Sequence, residues 1–167
     1  AGYGCSSMHR YRKQLGEQSW NELAVMMRVQ YRMHPTICNM VSTTFYEEKL
    51  LSAHGLEHTR TVHPHLQTGI KPLCFVDICG VEQQAVPGTS RFNEEEIALC
   101  VKIVEYLCRN GVSTDEIGVV AAYAAQTRLL EKRLGPEGRA IGVKVGSIDS
   151  FQGREKDYII LTCVRAQ

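Results

Sequence analysis

Val143-Lys144-Val145-Gly146-Ser147-Ile148-Asp149-Ser150-Phe151-Gln152-Gly153-Arg154-Glu155-Lys156-Asp157-Tyr158-Ile159-Ile160-Leu161-Thr162-Cys163-Val164 decides how this chain folds. Val143 to Ile148 has the make-up of a strand, and Tyr158 to Val164 is almost wholly apolar or β-branched. A run of that kind suits a strand covered on both faces, as in a parallel sheet. Between the two lies a polar segment, Asp149 to Asp157, too rich in short and charged side chains to be core. Blindly read, it is a polar turn between two strands. It is equally a ligand loop: Gly153 allows close backbone approach and its amide can face a phosphate, Arg154 can neutralise phosphate charge, and Glu155 can accept from a ribose hydroxyl or support a cation-bound water. Ser147, Asp149 and Ser150 are short polar groups of the kind that touch a nucleic-acid backbone.

Working outward, Asn93 can cap a helix and Glu96 completes a capping-box-like pattern. Ile97, Val101, Val104 and Leu107 form the apolar stripe of that helix, with Cys100 and Cys108 alongside, and Asn110-Gly111 ends it. Ile117 to Ala122 reads as a strand and Ala124 to Leu134 as a helix. Further upstream, Pro72 to Ile78 predicts a strand, and Val25 to Gln30 a short buried one. The latter runs into Tyr31-Arg32-Met33-His34-Pro35, where the proline biases His34 away from helix and opens the next one over Thr36 to Tyr46. Residues 47–71 have no clear period and predict a long loop or excursion. Strands alternating with helices make an α/β fold with a largely parallel sheet, in which ligands gather at the carboxyl ends of the strands.

Composition bounds this reading without deciding it. The 167 residues are 44% hydrophobic and 22% charged, and suit one domain with a real core. No apolar run approaches a membrane span, and the basic opening Ala1 to Lys13 is no signal peptide. Both ends read as cut points within a longer chain. The formal charge of +1 names no partner, and the clusters His9 to Lys13 and Lys132-Arg133 read as solvated faces. Seven cysteines without a CxxC pair fit reduced thiols in a cytoplasmic or nuclear protein. His54, His58, His63 and His65 lack a cysteine partner at ligand spacing, so the expectation is no metal site. There is neither a GxxxxGK[ST] loop nor a GxGxxG opening a helix, so part of any active site that hydrolyses a nucleotide lies elsewhere.

Gln30-Tyr31-Arg32-Met33-His34-Pro35 and the long block from Ser147 to Arg165 together resemble the second RecA-like domain of superfamily 1 helicases of the up-frameshift group, which includes the senataxin and immunoglobulin mu-binding relatives. Between them, Phe45-Tyr46 with Leu50, and Ile117 to Gln126, are similar to two further family blocks. The resemblance implies a RecA-like three-layer α/β/α domain of the P-loop NTPase superfamily fold, without its own P-loop. It covers residues 1–167 as a partial domain, with the family's final arginine-bearing motif falling after Gln167.

What the resemblance implies for single residues is specific. Tyr31 matches the tyrosine stacking on the adenine of ATP, and Arg32 the arginine reaching the phosphates. Gly153 and Glu155 match contacts to γ-phosphate and ribose, with Arg154 beside them; Arg32, Gly153 and Glu155 are thus the catalytic candidates. Ser147, Asp149, Ser150, Tyr123 and Gln126 match nucleic-acid positions, although Tyr123 and Gln126 equally suit purely structural places. The implied partners are single-stranded RNA or DNA and the first RecA-like domain of the same protein, which would supply the P-loop and most of the Mg2+ ligation. The implied activity is ATP-dependent strand movement, 5′ to 3′, with this chain inactive alone. Two departures stand out. The family's Thr-Pro before the tyrosine is Ala121-Ala122 here, and Ser7 to Tyr11 only loosely matches an upstream block. The first departure favours the alternative of a non-catalytic binding or scaffold module that kept the fold.

Overall fold

A computed structural model describes residues 4–62, 66, 71–135 and 142–165. The chain divides into two compact units, Ala1–Thr59 and Arg60–Gln167.

The first unit opens with α1 (Ser7–Leu23), capped by the Ser6 hydroxyl, which accepts from the His9 amide at 3.2 Å. Gly16, at φ 72, divides it into two helical runs, and none of its residues is buried. After α1 comes a minimal β-α-β motif: β1 (Val29–Gln30), α2 (Pro35–Phe45) and β2 (Leu51–Ser52), the strands pairing parallel. Pro35 occupies the first turn of α2, where its missing amide costs nothing. Ser42 ties α2 to the end of the return loop: its hydroxyl donates to the Leu50 carbonyl (2.9 Å) and accepts from the Leu50 amide (3.0 Å). The stretch expected to be a loop from residue 47 therefore holds β2 and the short α3 (Leu56–Thr59); His63 and His65 lie outside the described residues. The buried strand expected over Val25 to Gln30 is corrected to the pair Val29–Gln30, with Val25 and Met27 almost fully exposed. A two-residue ladder orders only its own length of chain, so the preceding apolar residues pair with nothing there.

The second unit carries the core. β3 (Gln83–Gln84) and β4 (Arg91–Phe92) form an antiparallel pair that leads into α4 (Glu94–Arg109). As expected, the Asn93 side chain accepts from the Glu96 amide at the start of α4. At its end, Gly111 (φ 90) closes a Schellman motif: the Val112 amide donates to the Leu107 carbonyl and the Gly111 amide to that of Cys108, both at 3.1 Å. β5 (Ile117–Ala121), α5 (Ala124–Leu134), β6 (Lys144–Ser147) and β7 (Tyr158–Thr162) complete the unit. The sheet is parallel throughout, in the order β6-β5-β7.

Alternation across the sheet assigns its two faces. Ile117, Val119, Ala121, Val143 and Val145 pack with Ile97, Val104, Leu107, Leu130 and Leu134 of α4 and α5. The opposite face presents Gly118, Val120, Gly146, Ile159 and Leu161. β5, flanked on both sides, is buried along its whole length. β7 was expected to be covered on both faces and is not: Ile159 is 51% and Leu161 60% exposed, because β7 is an edge strand with its helices on one side only. The strand expected over Pro72 to Ile78 is also absent. Its Phe75 is 89% exposed, and no described strand lies beside it to take up its backbone groups.

Candidate functional site

In the first unit, one side chain shapes the turn after β1. The Gln30 Oε1 accepts from the amides of Arg32 (2.8 Å) and Met33 (2.7 Å), while its Nε2 donates to the Met33 carbonyl (2.9 Å) and to Ser52 Oγ (3.0 Å). The turn thus closes on a single amide group anchored to β2. His34 then caps α2, its Nδ1 accepting from the Thr36 amide at 3.1 Å. The outcome is a hydrogen-bonded corner with Tyr31 72% exposed and Arg32 beside it at the surface. Gln30 was not among the residues singled out from the sequence; a polar residue ending an apolar run was the available signal.

In the second unit, Ser147 lies exposed at the end of β6, and Asp149, Ser150, Gly153, Arg154 and Glu155 lie exposed on the connection from β6 to β7. Parallel strands ordinarily need a crossover of a dozen or more residues, commonly helical. Here residues 148–157 make the return over the glycine-bearing face of the sheet. Ser150 starts it, its amide donating to Ser147 Oγ (3.3 Å) and its hydroxyl to the Ser147 carbonyl (2.8 Å). A 3₁₀ turn, Asp149–Phe151, then presses down on the sheet. A Cβ on Gly118 would lie 2.7 Å from Phe151 Cε1, and one on Gly146 would lie 2.1 Å from Ser150 Oγ. The two glycines therefore form the seat of this connection. Gly153 is glycine for another reason: its φ of 73 is left-handed, while a Cβ there would meet nothing. The far end is fastened at the amino ends of the strands, where Lys156 Nζ donates to the Asp115 carbonyl and Asp157 pairs with Arg60 at 3.1 Å. Gln152 to Glu155 are left outermost. The expectation that Asp149 to Glu155 follows the carboxyl end of a strand holds at its start, where Asp149 and Ser150 follow β6; Lys156 and Asp157, beyond it, have returned to the opposite end.

The carboxyl ends of the three strands align, since Ala121 is in register with both Ser147 and Thr162. Tyr123 follows β5 there, half-buried at the cap of α5. Gln126 does not reach the surface. It is fully buried, its Oε1 accepting from the Asn93 amide (2.9 Å) and its Nε2 donating to Thr162 Oγ1 (2.9 Å). Of its two readings from sequence, this geometry is the structural one. Glu96 belongs to the same network: its Oε2 accepts from the Thr162 hydroxyl and from the Val164 amide (3.0 Å) instead of folding back as a capping box. Burial, with the Glu96 carboxylate as a second cause, pushes the neighbouring Cys100 thiol up to about 12.

Among the described residues, no group of three or more His, Cys, Asp or Glu is placed to hold a metal, and no helix is long and apolar enough to cross a membrane. Ligation of Mg2+ is therefore assigned to none of the described residues.

A parallel α/β unit whose polar candidates crowd one strand-to-strand connection, on a chain without a P-loop, has the architecture of a RecA-like domain. A family model described as an AAA domain matches residues 3–167, and the chain belongs to that family, the C-terminal RecA-like domains of superfamily 1 helicases. It is 36% identical over 147 residues to "Regulator of nonsense transcripts 1" of Caenorhabditis elegans, covering 84% of this chain and 14% of the relative. It is 38% identical over 146 residues to "ATP-dependent helicase upf1" of Schizosaccharomyces pombe, covering 83% and 16%. "Helicase SEN1" of Saccharomyces cerevisiae is 32% identical over 175 residues, covering 98% and 8%. The chain thus spans a sixth or less of the length of these relatives.

Proposed function

We propose that this domain serves an ATP-dependent RNA or DNA helicase or translocase, acting in the cytoplasm or nucleus, as the half that binds nucleotide and strand without carrying the P-loop. The observation that supports it most is the pairing of two preformed exposed elements in one family-matched chain: the Gln30-stapled Tyr31-Arg32 corner and the left-handed Gly153 turn before Glu155.

The roles follow from the chemistry of each group. The exposed Tyr31 ring offers a flat face for adenine. Arg32 brings a permanent positive charge to the phosphates, where charge develops as the γ-phosphoryl group departs. Gly153 allows the backbone a close approach to the γ-phosphate, Glu155 accepts from the ribose, and Arg154 adds charge nearby. Ser147, Asp149 and Ser150, at the start of the same connection, contact the nucleic-acid backbone, with Tyr123 across the strand ends. Because Ser147 and Glu155 belong to one connection seated on the sheet by Phe151, a shift at either ligand is felt by the other. That is the proposed coupling of hydrolysis to strand movement, 5′ to 3′ in direction. ATP and Mg2+ would be held mainly by the first RecA-like domain. Ala121-Ala122 favours the second reading, a scaffold that kept the fold, because it lacks a hydroxyl the motor family places there.

ATP turnover by the full-length protein, with and without single-stranded RNA or DNA, tests this. Arg32→Ala and Glu155→Gln are each expected to cut the stimulated kcat by about 10²-fold or more, and residues 1–167 alone to turn over no ATP. A stimulated rate untouched by both substitutions, or steady turnover by the 167-residue chain, would overturn the assignment.

A further inference from the structure

Val164 is an outlier with a visible cause. It is β-branched, 1% exposed, and held at φ 69, a left-handed conformation that such residues rarely adopt. The backbone on both sides of it is gripped from within the fold. Its amide donates to the buried Glu96 Oε2 at 3.0 Å, and its carbonyl accepts from Asn93 Nδ2 at 3.5 Å. Glu96 is in turn fixed by the Thr162 hydroxyl, which Gln126 also holds. Strain of this kind persists only where its surroundings over-determine it, and it concentrates at functional positions.

The strained residue turns the chain so that Arg165 comes back over the strand ends. There Arg165 Nε lies 2.7 Å from Glu82 Oε2, and its guanidinium also bonds the Tyr123 phenol. Arg91 Nη1 reaches the other oxygen of Glu82 at 2.9 Å. Two guanidiniums therefore converge on one carboxylate, with the Tyr123 phenol against one of them, leaving a net single positive charge (two arginines less one glutamate). Arg165 keeps 61% of its side chain exposed, so it remains open to an anion from solvent. Guanidinium with a phenol donor beside it suits a phosphodiester oxygen.

We propose that Arg165, with Tyr123 and Arg91 around Glu82, contacts a backbone phosphate of a bound single strand, and that Glu96 is the positioning residue that aims it. This rests on the reading of the domain as a single-strand binder. Glu82 holds the arginines in place between strands and competes with the phosphate for them. Neither Glu96 nor Glu82 touches the strand.

The test is equilibrium binding of the full-length protein to a fluorescein-labelled oligo(U) and oligo(dT), titrated across a range of salt. Arg165→Ala should weaken binding and make the salt slope shallower by about 0.7, the loss of one single-strand phosphate contact. Glu82→Gln should tighten binding at low salt, because it removes the competing charge. Glu96→Gln should weaken binding like Arg165→Ala, and the double variant should be no weaker than Arg165→Ala alone, since the two act in series. A slope unchanged in Arg165→Ala overturns the phosphate contact while leaving the wider reading intact. Weaker binding in Glu82→Gln, with a fallen melting temperature, would make the cluster a structural brace and overturn the proposal. Should Glu96→Gln fail to fold, the Arg165 and Glu82 variants decide. If the unsubstituted protein binds neither oligonucleotide, both this proposal and the reading beneath it fall.

Discussion

Cys100 shows how far one environment can remove a residue from its usual chemistry. Burial is the main cause holding its thiol protonated up to about 12, and the adjacent Glu96 carboxylate adds to it. The thiolate is the reactive species, so Cys100 is inert at neutral pH. Brief iodoacetamide treatment of the folded chain at pH 8 is expected to label the exposed Cys74, Cys79 and Cys163 and to spare Cys100 until denaturant is added. Mass spectrometry of the digested protein reads this directly; early labelling of Cys100 would mean the α4–β7 network opens readily. The same shift sets a sign for stability. In the unfolded chain the thiol ionises near 9.0, in the folded chain near 12, so its contribution is intact below pH 9 and is lost as pH rises through that window. Gln126 is the companion lesson in reading single residues. Its type argues for the surface, but its spacing argues for the core, because Gln126, Leu130 and Leu134 recur one helical turn apart and all three are fully buried. Glu96 was legible as a cap by type, whereas its grip on Val164 spans 68 positions of sequence and no local pattern encodes it.

Elements were legible where a period was long and its ends were marked. α4 falls where its stripe and cap place it, α5 covers the helix expected over Ala124 to Leu134, and β5 to β7 follow from the apolar runs. Val25 to Gln30 and Pro72 to Ile78 carry the same apolar character, yet only two residues of the former pair and none of the latter. A strand is made by its neighbour, and apolar character alone names no neighbour. The crossover from β6 to β7 is the opposite case: its residues read as a polar turn, and its shape comes from glycines on adjacent strands. A Cβ on Gly118 would lie 2.7 Å from Phe151, 2.9 Å from Ile159 Cδ1 and 3.1 Å from Lys156 Cγ. Gly118→Ala is therefore expected to cost about 1–3 kcal/mol through overpacking, measured by denaturant unfolding, and Phe151→Leu in the same chain should recover part of it. An unfolding midpoint unmoved by Gly118→Ala would show that the connection is not seated on the sheet as described.

At the scale of the molecule, stability is unevenly placed, and the unevenness follows the candidate chemistry. The second unit holds nearly all of the fully buried apolar side chains, while α1 of the first unit buries none and bends at Gly16. Opening free energy tracks buried apolar contact, so the two ends of this range belong to α1 and to β5, whose five residues are all buried. The exposed connection from Ser147 to Glu155 thus hangs on the most protected part of the chain, as a loop that must transmit a displacement requires. The Ser42 hydroxyl of α2, bonded twice to Leu50, and the Gln30 side-chain amide, bonded to the following turn and to Ser52, tie the β1-α2-β2 motif and place the Tyr31-Arg32 corner between these extremes. Amide hydrogen exchange of the 167-residue chain is expected to rank α1 fastest, α2 and β1 intermediate, and β5 slowest, near the rate set by global unfolding. Equal protection of α1 and β5 would show that α1 gains a packing surface in solution, and would remove the gradient on which this account of the coupling loop depends.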